Sequence, residues 1–264
     1  MPARPKSRKP AQGRLQFLAA GKAHPHALAY RWWDGKLPAL VFFHGWLSDM
    51  DASKAHAVRD WARAQGRACL LFDFSGHGRS RGKLPDGTIS SWRQEATAML
   101  DFLARPCVLV GSSFGGFMAL LAALARPNLV RGLVLVAPAA DMTRRIVAHA
   151  LTDKHRAELA RTGRTILISP DGQWRYPISQ ALLDDGDTYR LLDAEQLAIA
   201  CPVRILQGQR DDSVPWKIAL KLTEKLQAQN VRLTLFKQSE HSLGEPDELE
   251  ALTAACADLV ALAR

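Results

Sequence analysis

Residues 106–116 read Pro106-Cys107-Val108-Leu109-Val110-Gly111-Ser112-Ser113-Phe114-Gly115-Gly116, an apolar run that breaks into small residues, and a helical stretch from Phe117 to Arg126 follows. A short, β-branched apolar run ended by glycine reads as a buried strand, so the segment predicts strand, tight turn and helix in that order. At such a junction the pattern G-x-S-x-G has a mechanical meaning. The turn forces its central serine into a strained backbone conformation with the hydroxyl exposed above the sheet. Small residues two before and two after let strand and helix approach closely enough for that turn. Ser113 is therefore the candidate nucleophile. The alternative is a glycine-rich turn with an idle serine, and the rest of the chain has to decide between the two.

A nucleophilic serine needs a histidine to take its proton and a carboxylate to orient that histidine. Downstream, Pro202-Val203-Arg204-Ile205-Leu206 reads as a buried strand and runs into Gly208-Gln209-Arg210-Asp211-Asp212-Ser213-Val214-Pro215. Asp211 thus falls at the carboxyl end of a strand, where open α/β sheets meet their ligands. Asp212, and Asp141 after the strand Leu133 to Val136, are the alternative acids. The strand Val231-Arg232-Leu233-Thr234-Leu235-Phe236 is followed at once by Ser239-Glu240-His241-Ser242. His241 is the candidate base. His24 and His26 lie near the N-terminus, His56 on an expected surface helix, and His149 and His155 in the stretch after Asp141. His44 and His77 follow strands but stand beside glycines, so a loop-shaping role is expected of them. An oxyanion hole takes two backbone N–H donors, one from the residue after the nucleophile, here Phe114. The second is expected from Trp46, at the end of Leu40-Val41-Phe42-Phe43-His44-Gly45-Trp46-Leu47.

The chain has 264 residues, enough for one α/β domain with a substantial core. It contains no apolar stretch of transmembrane length and no apolar secretory leader, so a cytoplasmic protein is expected, or a mitochondrial one if the source is eukaryotic. Cys69, Cys107, Cys201 and Cys256 are far apart, without metal-ligand spacing, and are expected to be reduced and buried. Neither a metal nor another cofactor is expected. The net charge of +9 is concentrated at the front, where Arg4, Lys6, Arg8, Lys9, Arg14, Lys22, Arg31 and Lys36 face only Asp34. A Pro- and Lys-rich tail over residues 1–13 is expected to be disordered and solvated, with no nucleic acid as partner.

From about Leu37 onward, strand-like and helix-like segments alternate, the pattern of a mostly parallel sheet flanked by helices. Leu15 to Leu18 and His26 to Trp33 predict an antiparallel pair at its edge. A helix is expected over Ser53 to Ala64, with Ala57, Val58, Trp61 and Ala64 on one face and Gly66 closing it. Ala68 to Phe72 predicts a strand leading into a structural turn, Asp73 to Ser80. Another helix is expected from a cap at Ser91, with Gln94 reaching back, to about Ala104. Between Asp141 and Ala200 the alternation stops. Sixty residues are too many for a plain loop, so residues 141–200 predict a cap subdomain over a core made of 14–140 and 201–264.

Together, Leu47-Ser48-Asp49-Met50, Lys54-Ala55, Phe72-Asp73-Phe74-Ser75-Gly76, Ser91-Trp92-Arg93, Gly111 to Gly116 and Asp211 to Trp216 resemble the α/β-hydrolase superfamily of serine hydrolases, from Leu15 onward. Within it they are similar to the mitochondrial palmitoyl-protein thioesterases and their bacterial relatives. The resemblance implies the α/β-hydrolase fold with a cap insertion, a Ser113–His241–Asp211 triad and cleavage of S-acyl groups or carboxylic esters. The implied partners are a small-molecule ester or thioester and an S-acylated protein. Carbon–carbon bond hydrolysis, acyl transfer and non-catalytic ligand binding are the other uses to which the same fold is put.

Overall fold

The computed structural model describes residues 12–22, 24–169 and 172–263. Residues 1–11 of the expected basic tail lie outside the described residues; Gln12 and Gly13 form a turn, and the Gly13 amide donates to the Trp32 carbonyl at 2.8 Å.

Eight strands form one sheet: β1 (Leu15–Leu18), β2 (Leu28–Trp33), β3 (Lys36–Phe43), β4 (Arg67–Phe72), β5 (Cys107–Ser112), β6 (Val130–Val136), β9 (Val203–Gly208) and β10 (Val231–Phe236). Their spatial order is β1-β2-β4-β3-β5-β6-β9-β10. β1 and β2 pair antiparallel, as do β2 and β4, and every pairing from β4 through β3 to β10 is parallel. The order reverses around β3, the one place where strands entered from opposite directions leave a crevice at their carboxyl ends.

Side chains of a strand alternate between the two faces, and here both faces are apolar because helices cover both. Ala39, Val41, Phe43, Cys107 and Leu109 face one cluster, shared with α2 (Ile89–Leu103), α3 (Phe114–Ala125) and α7 (Trp216–Lys225). Leu40, Phe42, Val108 and Val110 face the other, under α1 (Ser53–Ala64) and α8 (Pro246–Leu262). α3 lies at the centre, and every residue from Phe114 to Ala123 is buried.

Three local expectations change. The inward stripe of α1 is Ala55, Val58 and Ala62, whereas Ala57 and Trp61 sit at its margin and Ala64 is exposed. Wedged between the sheet and α8, the helix turns its smallest side chains inward and uses the Trp61 ring to cover the side of the cluster. α2 starts earlier than expected, capped by Thr88, whose hydroxyl accepts from the Ser91 amide at 3.2 Å while Ser91 Oγ accepts from the Thr88 amide at 2.9 Å. Ser91 is thus the reciprocal member of a capping box; the cap itself is Thr88. Of the four free cysteines three are buried, and Cys201 is only partly so.

The stretch between β6 and β9 holds α4 (Met142–Arg145) running into a wide turn over Ile146–Ala150, α5 (Asp153–Thr162), the antiparallel pair β7 (Arg164–Ile168) and β8 (Arg175–Ser179), and α6 (Gln180–Gly186). Its Leu159, Leu167, Ile178, Leu182, Leu183, Leu191 and Leu192 belong to the same apolar cluster as α2 and α3. Polar ties fix its ends. The buried Asp141 carboxylate accepts from the Leu191 and Leu192 amides at 2.8 and 2.9 Å. Asp185 accepts from the Ser90 amide at 2.7 Å and from its hydroxyl at 2.5 Å, at the start of α2.

Candidate active site

β5 delivers Ser113 at its carboxyl end, in the turn before α3. Ser113 has φ 52° and ψ −115°, a conformation that a residue with a Cβ adopts only when its surroundings impose it. Gly115 shows what imposes it: a Cβ there would lie 2.1 Å from the Phe43 carbonyl oxygen, so α3 starts in backbone contact with the end of β3. The turn is closed by Ser113's own carbonyl, which accepts from the Gly116 amide at 2.9 Å and from Ala139 at 3.0 Å.

β9 and β10 bring the other two side chains. Gly208 permits their approach, since a Cβ there would stand 2.3 Å from the Ser239 carbonyl oxygen. Across that contact the Arg210 amide donates to Ser239 at 3.0 Å, tying the two loops together. Asp211 is buried and accepts from three directions: the Val214 amide at 2.7 Å, Gln207 Nε2 at 2.9 Å and His241 Nδ1 at 2.7 Å. His241 Nε2 then meets Ser113 Oγ at 2.9 Å. With Nδ1–H donated to the carboxylate, Nε2 is left as the acceptor for the serine hydroxyl, which is the tautomer a general base requires.

The structure thus joins Ser113, His241 and Asp211 in one hydrogen-bonded line and leaves out the alternatives. Asp212 is exposed, and Asp141 spends both carboxylate oxygens on the Leu191 and Leu192 amides. Gln207 was not anticipated from the sequence. It is fully buried, and its amide also donates to the Val214 carbonyl at 3.1 Å, which holds the turn that presents Asp211. A glutamine near the end of a buried strand, Val203–Gly208, four residues before the candidate acid, is the signal that could have found it.

On the other side of Ser113 lies the Gly45–Trp46 loop; a Cβ on Gly45 would stand 3.7 Å from Ser113 Cβ. Among the described residues, neither the Trp46 nor the Phe114 backbone amide carries a protein hydrogen bond. An oxyanion hole takes two backbone amides that are not spent on other protein acceptors. The Trp46 ring packs against Trp92 and Phe114, with centroids 5.8 and 6.0 Å away, and this fixes the loop.

Beneath that loop His44 and His77 behave as loop-shaping residues. His44 Nε2 accepts from the Phe74 amide at 3.0 Å while Nδ1 donates to the Gly45 carbonyl at 2.8 Å, and burial, with the neighbouring His77 adding to it, pushes its pKa down to about 3. Burial takes His77 down to about 4. Burial also pushes Glu95 up to about 7; its Oε2 accepts from the Ser75 amide at 2.9 Å. Asp73, raised to about 6 by burial, braces the Asp73–Ser80 turn by accepting from the Met50 and Arg79 amides at 2.7 and 2.8 Å.

The chain belongs to the α/β hydrolase family, whose model matches residues 40–261, and it is a hydrolase. Among its relatives is the mitochondrial palmitoyl-protein thioesterase ABHD10 of Mus musculus, 36% identical over 239 residues that span 88% of this chain and 78% of the relative. The solved structure of mouse α/β hydrolase domain-containing protein 10 superposes with a TM-score of 0.85 at 33% identity, covering 95% of this chain and 100% of that one. A candidate hydrolase from Agrobacterium vitis S4 gives a TM-score of 0.88 at 34% identity, covering 96% and 100%. Among the described residues, no helix is long and apolar enough to cross a membrane.

Proposed function

We propose that this chain is a serine hydrolase of carboxylic esters and acyl thioesters, working through Ser113, His241 and Asp211. The observation that carries this reading is the unbroken line from Ser113 Oγ to His241 Nε2 at 2.9 Å and from His241 Nδ1 to Asp211 Oδ2 at 2.7 Å. His241 removes the hydroxyl proton as Ser113 attacks the acyl carbonyl, and Asp211 stabilises the imidazolium that forms. The Phe114 and Trp46 amides take the negative charge of the tetrahedral intermediate. When the intermediate collapses, His241 returns the proton to the leaving alcohol or thiol. A water molecule activated by the same imidazole then cleaves the acyl-enzyme, so every proton and electron pair in the cycle is handled by these groups.

The relatives named as palmitoyl-protein thioesterases support long-chain acyl thioesters, S-acylated protein among them, as the substrate class. Residues 141–200 act in this reading as a cap that shapes the acyl pocket, supported by their apolar continuity with α2 and α3. The test is intact-mass analysis after fluorophosphonate treatment of wild type and Ser113→Ala, followed by rates on matched p-nitrophenyl esters and acyl thioesters from acetyl to palmitoyl. A single adduct, lost in the variant, is expected, with rates rising toward the longer chains. A folded wild type that takes up no fluorophosphonate would sink the proposal.

A further inference from the structure

The loop that carries His241 has little of its own to hold it. From Glu240 to Gly244, among the described residues, no backbone group takes part in a backbone–backbone hydrogen bond. Leu243 sits at φ 45°, and α8 begins immediately afterwards with Glu245 N donating to Glu248 Oε2 at 2.8 Å. The tether comes from across the fold. Lys54, in the first turn of α1, donates its ammonium to the carbonyl of Ser242, the residue directly after His241. Beside it, a Cβ on Gly244 would lie 3.9 Å from Ser53 Oγ, so the start of α1 forms the wall against which the loop rests.

Placing an ammonium there is costly. Burial pulls the Lys54 pKa down, and the buried Glu248 carboxylate pulls it back up. A charged side chain accepted at a loss of hydration is expected to do more than fill space, because an apolar residue would fill the same place without that loss.

We propose that Lys54 is a positioning residue for His241: by gripping the Ser242 carbonyl it keeps the imidazole in line between Asp211 and Ser113. This rests on His241 being the general base. Without the grip the strained backbone at Leu243 relaxes and the ring drifts from both partners. A misplacement of about 1 Å at a reacting group costs on the order of a hundredfold in rate. Because the contact acts on the orientation of the base, the loss is expected to fall on kcat.

Two variants separate positioning from mere support: Lys54→Met keeps the aliphatic stem and removes charge and donors, and Lys54→Arg keeps both. Ser113→Ala and His241→Ala are measured alongside on the same p-nitrophenyl ester, together with the low-field proton resonance of His241 Nδ1–H. For Lys54→Met, kcat is expected to fall about tenfold to a hundredfold with KM unchanged and the low-field resonance broadened or lost. Lys54→Arg should restore most of the rate and the resonance. Should Lys54→Met not fold, Lys54→Met combined with Glu248→Gln removes the stranded carboxylate and is read in the same way. Wild-type kcat in the Met variant would overturn the assignment, as would a loss that Arg does not recover. If His241→Ala itself keeps wild-type rates, the reading of the site fails and the Lys54 assignment with it. If His241→Ala is inactive and Lys54→Met is not impaired, only the Lys54 assignment falls.

Discussion

Ser113 is held where an L residue is strained, at φ 52°, by the contact of Gly115 with the end of β3. Such a conformation costs on the order of 1–3 kcal/mol, part of which glycine avoids. Ser113→Gly is therefore expected to be inactive yet more stable than Ser113→Ala, by about 1 kcal/mol after the extra chain entropy of glycine is counted. Urea unfolding midpoints of the two variants check this; equal midpoints would mean that the turn stores no strain. The same residue explains what a sequence can disclose. Ser113, Asp211 and His241 were readable because each follows its own strand within a few positions, and strands announce themselves by local apolar runs. Gln207 and Lys54 were not, because their meaning lies in a partner chosen by tertiary packing, and for Lys54 that partner is 188 residues away.

Among the elements, the succession of core strands and several of the helices between them were legible from alternation, since a parallel sheet covered on both faces writes continuous apolar runs into the chain, whereas the order of the strands across the sheet was not. Boundaries were less so. α2 begins at Ile89 because Thr88 caps it, and nothing local distinguished Thr88 from Ser91 as the cap. Within residues 141–200 the sequence pointed to an insertion without disclosing its form, which depends on ties to distant residues such as Asp141 with Leu191 and Leu192, or Ser90 with Asp185. Asp141→Ala leaves two buried amides without acceptors, each worth about 1–3 kcal/mol. The variant is expected to unfold at lower urea and to be cut by protease within 141–200 sooner than wild type. Unchanged cleavage kinetics would show that this tie is not what fastens the segment.

At the scale of the molecule, buried titratable groups under the Trp46 loop pull in opposite directions as pH changes. His44 and His77 fold with pKa values of about 3 and about 4, below their ordinary 6.5, so the stability they confer above pH 6.5 is lost as the unfolded chain takes up protons on acidification. Glu95, at about 7 against 4.5, and Asp73, at about 6 against 3.8, favour the fold in acid and lose that contribution as pH rises. Over the range between 4.5 and 6.5 the two sets offset each other. Glu95→Gln removes the larger carboxylate contribution, so its stability relative to wild type should rise from about pH 4.5 to about pH 7 and then level off. Urea midpoints at several pH values test the sign; a difference that does not vary with pH would mean that Glu95 titrates in the fold as it does in the unfolded chain. A last consequence follows from the sheet order. β10, the strand that presents the proposed base, is the outermost member, bonded among the described residues to β9 alone and half open to solvent along its length. Peripheral strands are the first to fray as temperature rises, while the inner ladder stays shut. Heat should therefore switch this enzyme off reversibly some degrees before it melts, because the His241 loop can come loose while the buried strands and their two apolar layers are still intact.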